Sequence, residues 1–154
     1  MCKTLPDKKL SILQKKAIRH VSGANYVSHT DPLFINNNQL KVTDIIVYNN
    51  VLFMHSLRYD NLPTSFNNIL QLKTENNTDR IRSDMGGFVI PTNNSHITSP
   101  SYNAARDWNT LPIFYKNISK HSEFKKEIKK YLISRYNSHC DILNCYSCHQ
   151  SNYP

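Results

Sequence analysis

A chain of 154 residues, 39% hydrophobic and with 19 asparagines, is long enough for one domain that buries roughly two thirds of its unfolded surface, but its core is modest and its loops are polar. It has no run near the ~20 apolar residues that span a bilayer, and Met1-Cys2-Lys3-Thr4-Leu5-Pro6 lacks the apolar stretch of a signal peptide, so the expectation is a cytoplasmic or nuclear protein, not secreted and with no membrane partner. The net charge of +8 is uneven: residues 1–20 hold six Lys/Arg against one acid and residues 116–136 seven against two, two blocks of +5 around a near-neutral body, which suits either a polyanionic partner or two solvated helix faces.

Along the chain, Pro6-Asp7 reads as a helix start with Asp7 as cap. Leu10, Leu13, Ala17 and Val21 recur at helical spacing, Ile18 widens the stripe, and Gly23 closes the helix in a left-handed conformation. Lys15, Lys16 and Arg19 fall outside that stripe and form a cationic outer face. Residues 26–38 read as loop, because Asp31-Pro32 disfavours helix at the preceding residue, with Leu33-Phe34-Ile35 plugged into the core. Residues 39–58 are the most apolar part of the chain, and their length favours a largely buried helix over a strand pair.

A short helix is expected over residues 63–72, with Phe66, Ile69 and Leu70 inward. Phe88-Val89-Ile90, between Gly86-Gly87 and Pro91, is a candidate strand that pairs with Ile97 in a small hairpin. Ser99 as cap and Pro100 at the first helical position open the next helix, which carries Tyr102, Ala105 and Trp108 on one face and stops at Leu111-Pro112. In the last helix, capped by Ser122, Phe124, Ile128, Tyr131, Leu132 and Tyr136 face inward while Lys125, Lys126, Lys129 and Lys130 face out. The fold class is thus mainly α: a small, loop-rich domain of four or five helices with at most one short β-hairpin.

A search for catalytic groupings is negative. With three glycines in all there is no Gly-rich phosphate or dinucleotide loop, and no G-x-S-x-G or H-E-x-x-H is present. Two-metal polymerase chemistry needs converging carboxylates, whereas Asp44, Asp60, Asp79, Asp84 and Asp107 are scattered and suit capping or surface roles. No catalytic residue is assigned, and the chain is expected not to be an enzyme in its own right. His29, His55 and His96 are isolated, which favours structural roles. Trp108 suits a core anchor better than a platform for a base.

The densest chemistry lies in the tail, His139-Cys140-x4-Cys145-x2-Cys148-His149. Cys145 and Cys148 have the two-residue spacing of a zinc chelate, and Cys140 with His149 or His139 can complete a tetrahedron. The competing reading is an unstructured tail of reduced thiols, since the usual second Cys pair is missing.

Several strings, taken in order, resemble one known arrangement: Leu13-Gln14-Lys15-Lys16-Ala17-Ile18-Arg19, His29-Thr30-Asp31-Pro32-Leu33-Phe34, Leu40-Lys41-Val42 with Asp44, Leu62-Pro63 with Phe66, Trp108-Asn109-Thr110-Leu111-Pro112, and Phe124-Lys125 with Ile128-Lys129. They resemble the region C-terminal to the palm, the thumb and beyond, of non-LTR (LINE, jockey/CR1-like) retrotransposon reverse transcriptases. The likeness covers roughly residues 10–136. It implies that the helical domain over residues 1–136 helps an RNA-directed DNA polymerase hold template or target, while the Cys/His-rich tail at 137–154 lies beyond the likeness. It does not transfer catalysis, because the [FY]-A-D-D metal box and any endonuclease motif are absent. Thr92-Asn93 stands where a basic residue is expected, and the Cys spacing departs from the C-x2-C-x4-H-x4-C knuckle of some such elements.

The expected function is therefore a non-catalytic region that contacts RNA or DNA through Lys15, Lys16, Arg19, Lys125, Lys126, Lys129 and Lys130, with the polymerase portion of the same element as partner. Two other readings stay open: a scaffold module that packs on the polymerase and leaves its basic faces solvated, and a degenerate element fragment without a selected role. Zinc, held by Cys140, Cys145, Cys148 and His149, is the one cofactor considered.

Overall fold

The computed structural model describes residues 5–66, 70, 86–90 and 99–136. Six α-helices follow in order among them: α1 (Leu5–Val21), α2 (Asp31–Asn36), α3 (Val42–Arg58), α4 (Pro100–Asn109), α5 (Ile113–Lys116) and α6 (His121–Ser134). A 3-10 turn covers Thr64–Phe66, and the described residues contain no strand beyond a single bridge residue at Phe88. No helix among them is long and apolar enough to cross a membrane. The chain is mainly helical, as the periodicity predicts.

Several boundaries differ from the expectation for identifiable reasons. The segment read as loop contains α2, because Pro32 sits in the first turn, where its missing N–H costs no hydrogen bond. Helix α5 follows Pro112 directly. Of the short helix expected over 63–72, the described part is the 3-10 turn, although Leu70 is buried; Ile69 and Ile97, on which that helix and the hairpin also rest, lie outside the described residues. Asp7 lies inside α1 and not before it. Ser122 likewise falls inside α6, whose first carbonyl is that of Lys120, accepting from the Phe124 N–H (2.9 Å). The Ser99 cap is as expected, its hydroxyl accepting from the Tyr102 N–H (3.3 Å), with Pro100 just behind it.

Three helices end in one way. After α1 the Ala24 N–H reaches back to Arg19 O with Gly23 at φ +60°, after α2 Gln39 N–H to Phe34 O with Asn38 at +49°, and after α3 Asn61 N–H to Ser56 O with Asp60 at +52°. This six-to-one bond satisfies a terminal carbonyl and turns the chain sharply through one left-handed residue. Of the three, only Gly23 pays no steric cost at positive φ; Asn and Asp are the side chains that tolerate it next best.

The contacts divide the chain into two compact units, Met1–Ile45 with Lys129–Pro154, and Ile46–Ile128. The first is centred on Ile18, Phe34 and Tyr136, with Leu33, Ile35 and Ile133 packed around them. The Phe34 and Tyr136 rings meet edge to face at 6.4 Å. Of the stripe expected to face inward on α1, only Ile18 does: Leu13 is 60% and Val21 74% exposed, Leu10 and Ala17 are exposed too, and Ser11 and Gln14 lie half-buried on the helix with Ile18. Polar bonding explains the rotation. The Gln14 side chain accepts from the Val42 N–H and donates to Leu40 O, both at 2.8 Å, so it caps α3 from another helix, and exposing Gln14 would leave those buried-end backbone groups unmet.

The second unit is built on an aromatic run. Trp108, fully buried as expected, lies 5.8 Å from Phe124 and 6.2 Å from Phe88, and His55 stacks on Phe124 at 4.2 Å. The Trp108 indole N–H and the Arg58 guanidinium both donate to Gly86 O at 2.9 Å. Gly86 has φ +83°, which favours glycine, and a Cβ there would push the tip of the Arg58 side chain off the Gly86 carbonyl. Asn109 pairs with the backbone of Phe88 in both directions, accepting its N–H (2.9 Å) and donating to its carbonyl (2.8 Å).

Candidate nucleic-acid interface

Helix α6 divides as its sequence predicts. Phe124, Ile128 and Leu132 are buried, and so is Tyr136 just beyond the helix end, while Lys125, Lys126 and Lys130 are exposed; Tyr131, expected inward, and Lys129, expected outward, are both half-buried. The same spacing that fills the core therefore leaves a row of ammonium groups outside. On α1, Lys15 and Lys16 are exposed. Arg19 differs, because its Nε donates to Ser28 O (2.9 Å) and its guanidinium lies 5.9 Å from the centre of the Tyr26 ring. That side chain ties the loop after α1 to the helix.

Within the first unit the two basic blocks come together. A cleft of about 360 Å³ is lined by Lys15 from α1, by Lys41, Thr43 and Asp44 at the start of α3, and by Arg135 and Tyr136 after α6. The Tyr136 hydroxyl organises its floor, accepting from the Lys41 N–H (2.9 Å) and donating to Asp44 Oδ2 (2.7 Å). Burial, then the Asp44 carboxylate, holds the phenol far above its ordinary pKa, so Tyr136 stays a neutral donor. The Lys41 ammonium meets Asp31 at 2.7 Å and lies 4.2 Å from the centre of the Tyr136 ring. Among the described residues, neither Lys15 nor Arg135 has a carboxylate within ion-pair distance.

Lys41 and Arg135 are absent from the set of contact residues read from sequence. Arg135 lies inside the second basic block but outside its lysine row, and no periodicity links position 41 to position 136. Of the scattered acids, Asp60 ends α3 as a cap, whereas Asp44 and Asp107, expected at caps or on the surface, are half-buried and accept tertiary hydrogen bonds, from the Tyr136 hydroxyl (2.7 Å) and the Asn50 amide (2.8 Å). Asp79 and Asp84 lie outside the described residues, as do His96 and the tail with Cys140, Cys145, Cys148 and His149. Among the described residues no three His, Cys, Asp or Glu side chains are grouped to hold a metal.

His55 is not isolated. It is fully buried, its Nε2 lies 2.8 Å from Ile118 O, and its Nδ1 lies 3.1 Å from Nδ1 of His121. The pair lies 66 residues apart in sequence, so spacing along one helix could not reveal it. Comparison of the chain with protein-family models, with curated proteins and with solved structures finds no match.

Proposed function

We propose that this chain is a non-catalytic, nucleic-acid-contacting accessory region of a non-LTR retrotransposon reverse transcriptase, acting in the cytoplasm or nucleus beside the polymerase portion of the same element. The observation that carries the reading is α6, whose apolar residues are used up in the core while Lys125, Lys126 and Lys130 remain exposed. Ammonium groups on a rigid helix bind phosphates without reading sequence and gain affinity by releasing counterions. The family reading rests on the strings quoted from the sequence, and their side chains have structural work: Gln14 caps α3, Lys41 pairs with Asp31, Asp44 receives Tyr136, and Asn109 clasps Phe88.

The test is binding of labelled single-stranded RNA and DNA, by fluorescence anisotropy, across a salt series. Log K should fall by ~0.7 for each neutralised phosphate per tenfold rise in salt. Changing Lys125, Lys126, Lys129 and Lys130 to Gln should lower that slope by up to ~3 and leave the helix intact, since Gln is a comparable helix former. No salt-dependent affinity in the parent chain would overturn the reading.

A second reading has its own observation. The exposed Leu10, Leu13 and Val21 on α1 suit a protein-interaction module that packs on the polymerase. It predicts little nucleic-acid binding and loss of polymerase association when Leu13 becomes Asn.

A further inference from the structure

We infer that the cleft between Lys15 and Arg135 is a phosphate site that seats one phosphodiester of a single-stranded nucleic acid. The inference rests on the proposed function and assigns it a place. Three cations line the cleft, Lys15, Lys41 and Arg135, against one carboxylate, Asp44. Two of these four charges are already engaged. Asp44 receives the Tyr136 hydroxyl at 2.7 Å, and Lys41 is paired with Asp31 at 2.7 Å. Lys15 and Arg135, both exposed, are left with no carboxylate in reach among the described residues. One guanidinium and one ammonium facing a common space are a usual setting for a phosphate, which takes paired hydrogen bonds from the first and a point charge from the second.

A backbone donor adds to them. In the first turn of α3 the Val42 N–H is taken by Gln14, and the Asp44 and Ile45 N–H groups both reach Lys41 O. The Thr43 N–H, on a residue that lines the cleft, meets no acceptor among the described residues. It lies at the positive end of a 17-residue helix, where an anion is favoured.

Size and charge narrow the ligand. A cleft of about 360 Å³ falls at the small end of ligand sites, which run from about 300 to 1,000 Å³. It has room for a phosphate and its sugar. The Asp44 carboxylate opposes a second negative charge on the phosphate, which favours a diester, with one charge, over the terminal phosphate of a free nucleotide, with nearly two.

The experiment uses the full chain, labelled with 15N, and two probes: a short oligouridylate with hydroxyl ends, which carries diesters alone, and uridine 5′-monophosphate, which carries a monoester. Expected is a saturable shift of the Thr43 and Asp44 amide signals with the oligonucleotide at concentrations at least tenfold below those needed with the mononucleotide. The double variant Lys15→Gln/Arg135→Gln should abolish these shifts and reduce the salt slope of oligonucleotide binding by about 1.4. The charge-matched Lys8→Gln/Lys9→Gln variant, at two α1 positions outside the cleft, should keep the shifts. Both pairs are exposed, and an unchanged helical circular dichroism spectrum confirms folding. Oligonucleotide binding that leaves the Thr43 and Asp44 signals in place would overturn the phosphate site and leave the proposed function standing. A mononucleotide that binds as tightly as the oligonucleotide would overturn the diester assignment, and a chain that binds no oligonucleotide at all would overturn both.

Discussion

With His55 neutral, as its burial favours, the Nδ1–H of His121 donates to Nδ1 of His55 across 3.1 Å. Ile118 O can only accept, so His55 must carry its proton on Nε2; the neutral ring then has a lone pair on Nδ1 and the proton between the two rings belongs to His121. One further proton fits on Nε2 of His121 without breaking the bond. A second, on His55, sets two N–H groups against each other.

Stability should follow from this pair. Burial lowers the pKa of both histidines; on His55 it outweighs the opposing bond to Ile118 O and is reinforced by the charges of His121 and Arg58, and on His121 it is reinforced by Lys125. Their folded-state values therefore lie below the unfolded value of about 6.5, and the unfolded chain binds more protons in between. The resulting stability is complete above about pH 6.5 and is lost as pH falls from there through the lowered folded values. Urea midpoints measured between pH 8 and pH 5 should fall, and His55→Phe should flatten that dependence while lowering the midpoint throughout, because Ile118 O loses its donor at a cost of about 1–3 kcal/mol. A midpoint independent of pH in the parent chain would contradict the pairing.

Asn109 supplies a prediction that separates donor from acceptor. Its amide makes both halves of a backbone pair with Phe88, a residue packed on Trp108. Asn109→Asp keeps an acceptor for the Phe88 N–H but sets a carboxylate against the Phe88 carbonyl. It should therefore destabilise at least as much as Asn109→Ala, which should cost about 1–3 kcal/mol. Thermal unfolding of the two variants checks the order, and an Asp variant as stable as the parent would show that the pairing is not made.

The rotation of α1 can be tested by paired substitutions. Leu13→Ser, at a 60% exposed position, should change stability by no more than about 0.5 kcal/mol. Ile18→Ala, in the core with Phe34 and Tyr136, should cost about 2–5 kcal/mol. The reverse order in chemical denaturation would restore the orientation read from sequence.

That helix also marks how far the sequence is legible. Where a helix has one apolar face and buries it, as α6 does with Phe124, Ile128 and Leu132, or has a single large anchor such as Trp108, periodicity finds the inward side. Capping chemistry at Ser99 and the left-handed Gly23 are equally local and equally readable. Helix α1 escapes periodicity because its orientation is set by Gln14, a polar residue whose partners at Leu40 and Val42 lie 26 and 28 positions away. The cleft and the His55–His121 pair were invisible for the same reason: each joins residues brought together only by tertiary packing. Of the seven contact lysines and arginines read from sequence, Lys15 alone lines the cleft.

Lys116 tests the charge count itself. It belongs to the second +5 block, yet it is 2% exposed, and its ammonium donates to Asn109 O at 3.0 Å. A buried ammonium held by a carbonyl of the protein itself is not available to exchange counterions for phosphates, so the sequence charge overstates the electrostatic footprint of the block by one. Lys116→Gln should leave the salt slope of RNA binding unchanged. Lys125→Gln, which removes the same formal charge from an exposed position, should lower it by about 0.7. Their effects on stability should be inverted. The Lys116 variant shortens the side chain, leaves Asn109 O short of its donor and should cost about 1–3 kcal/mol, whereas Lys125→Gln should stay within about 0.5 kcal/mol. Binding and unfolding measured on the same two preparations give four numbers, and a Lys116 variant that binds RNA with a reduced slope would show that this ammonium reaches solvent after all.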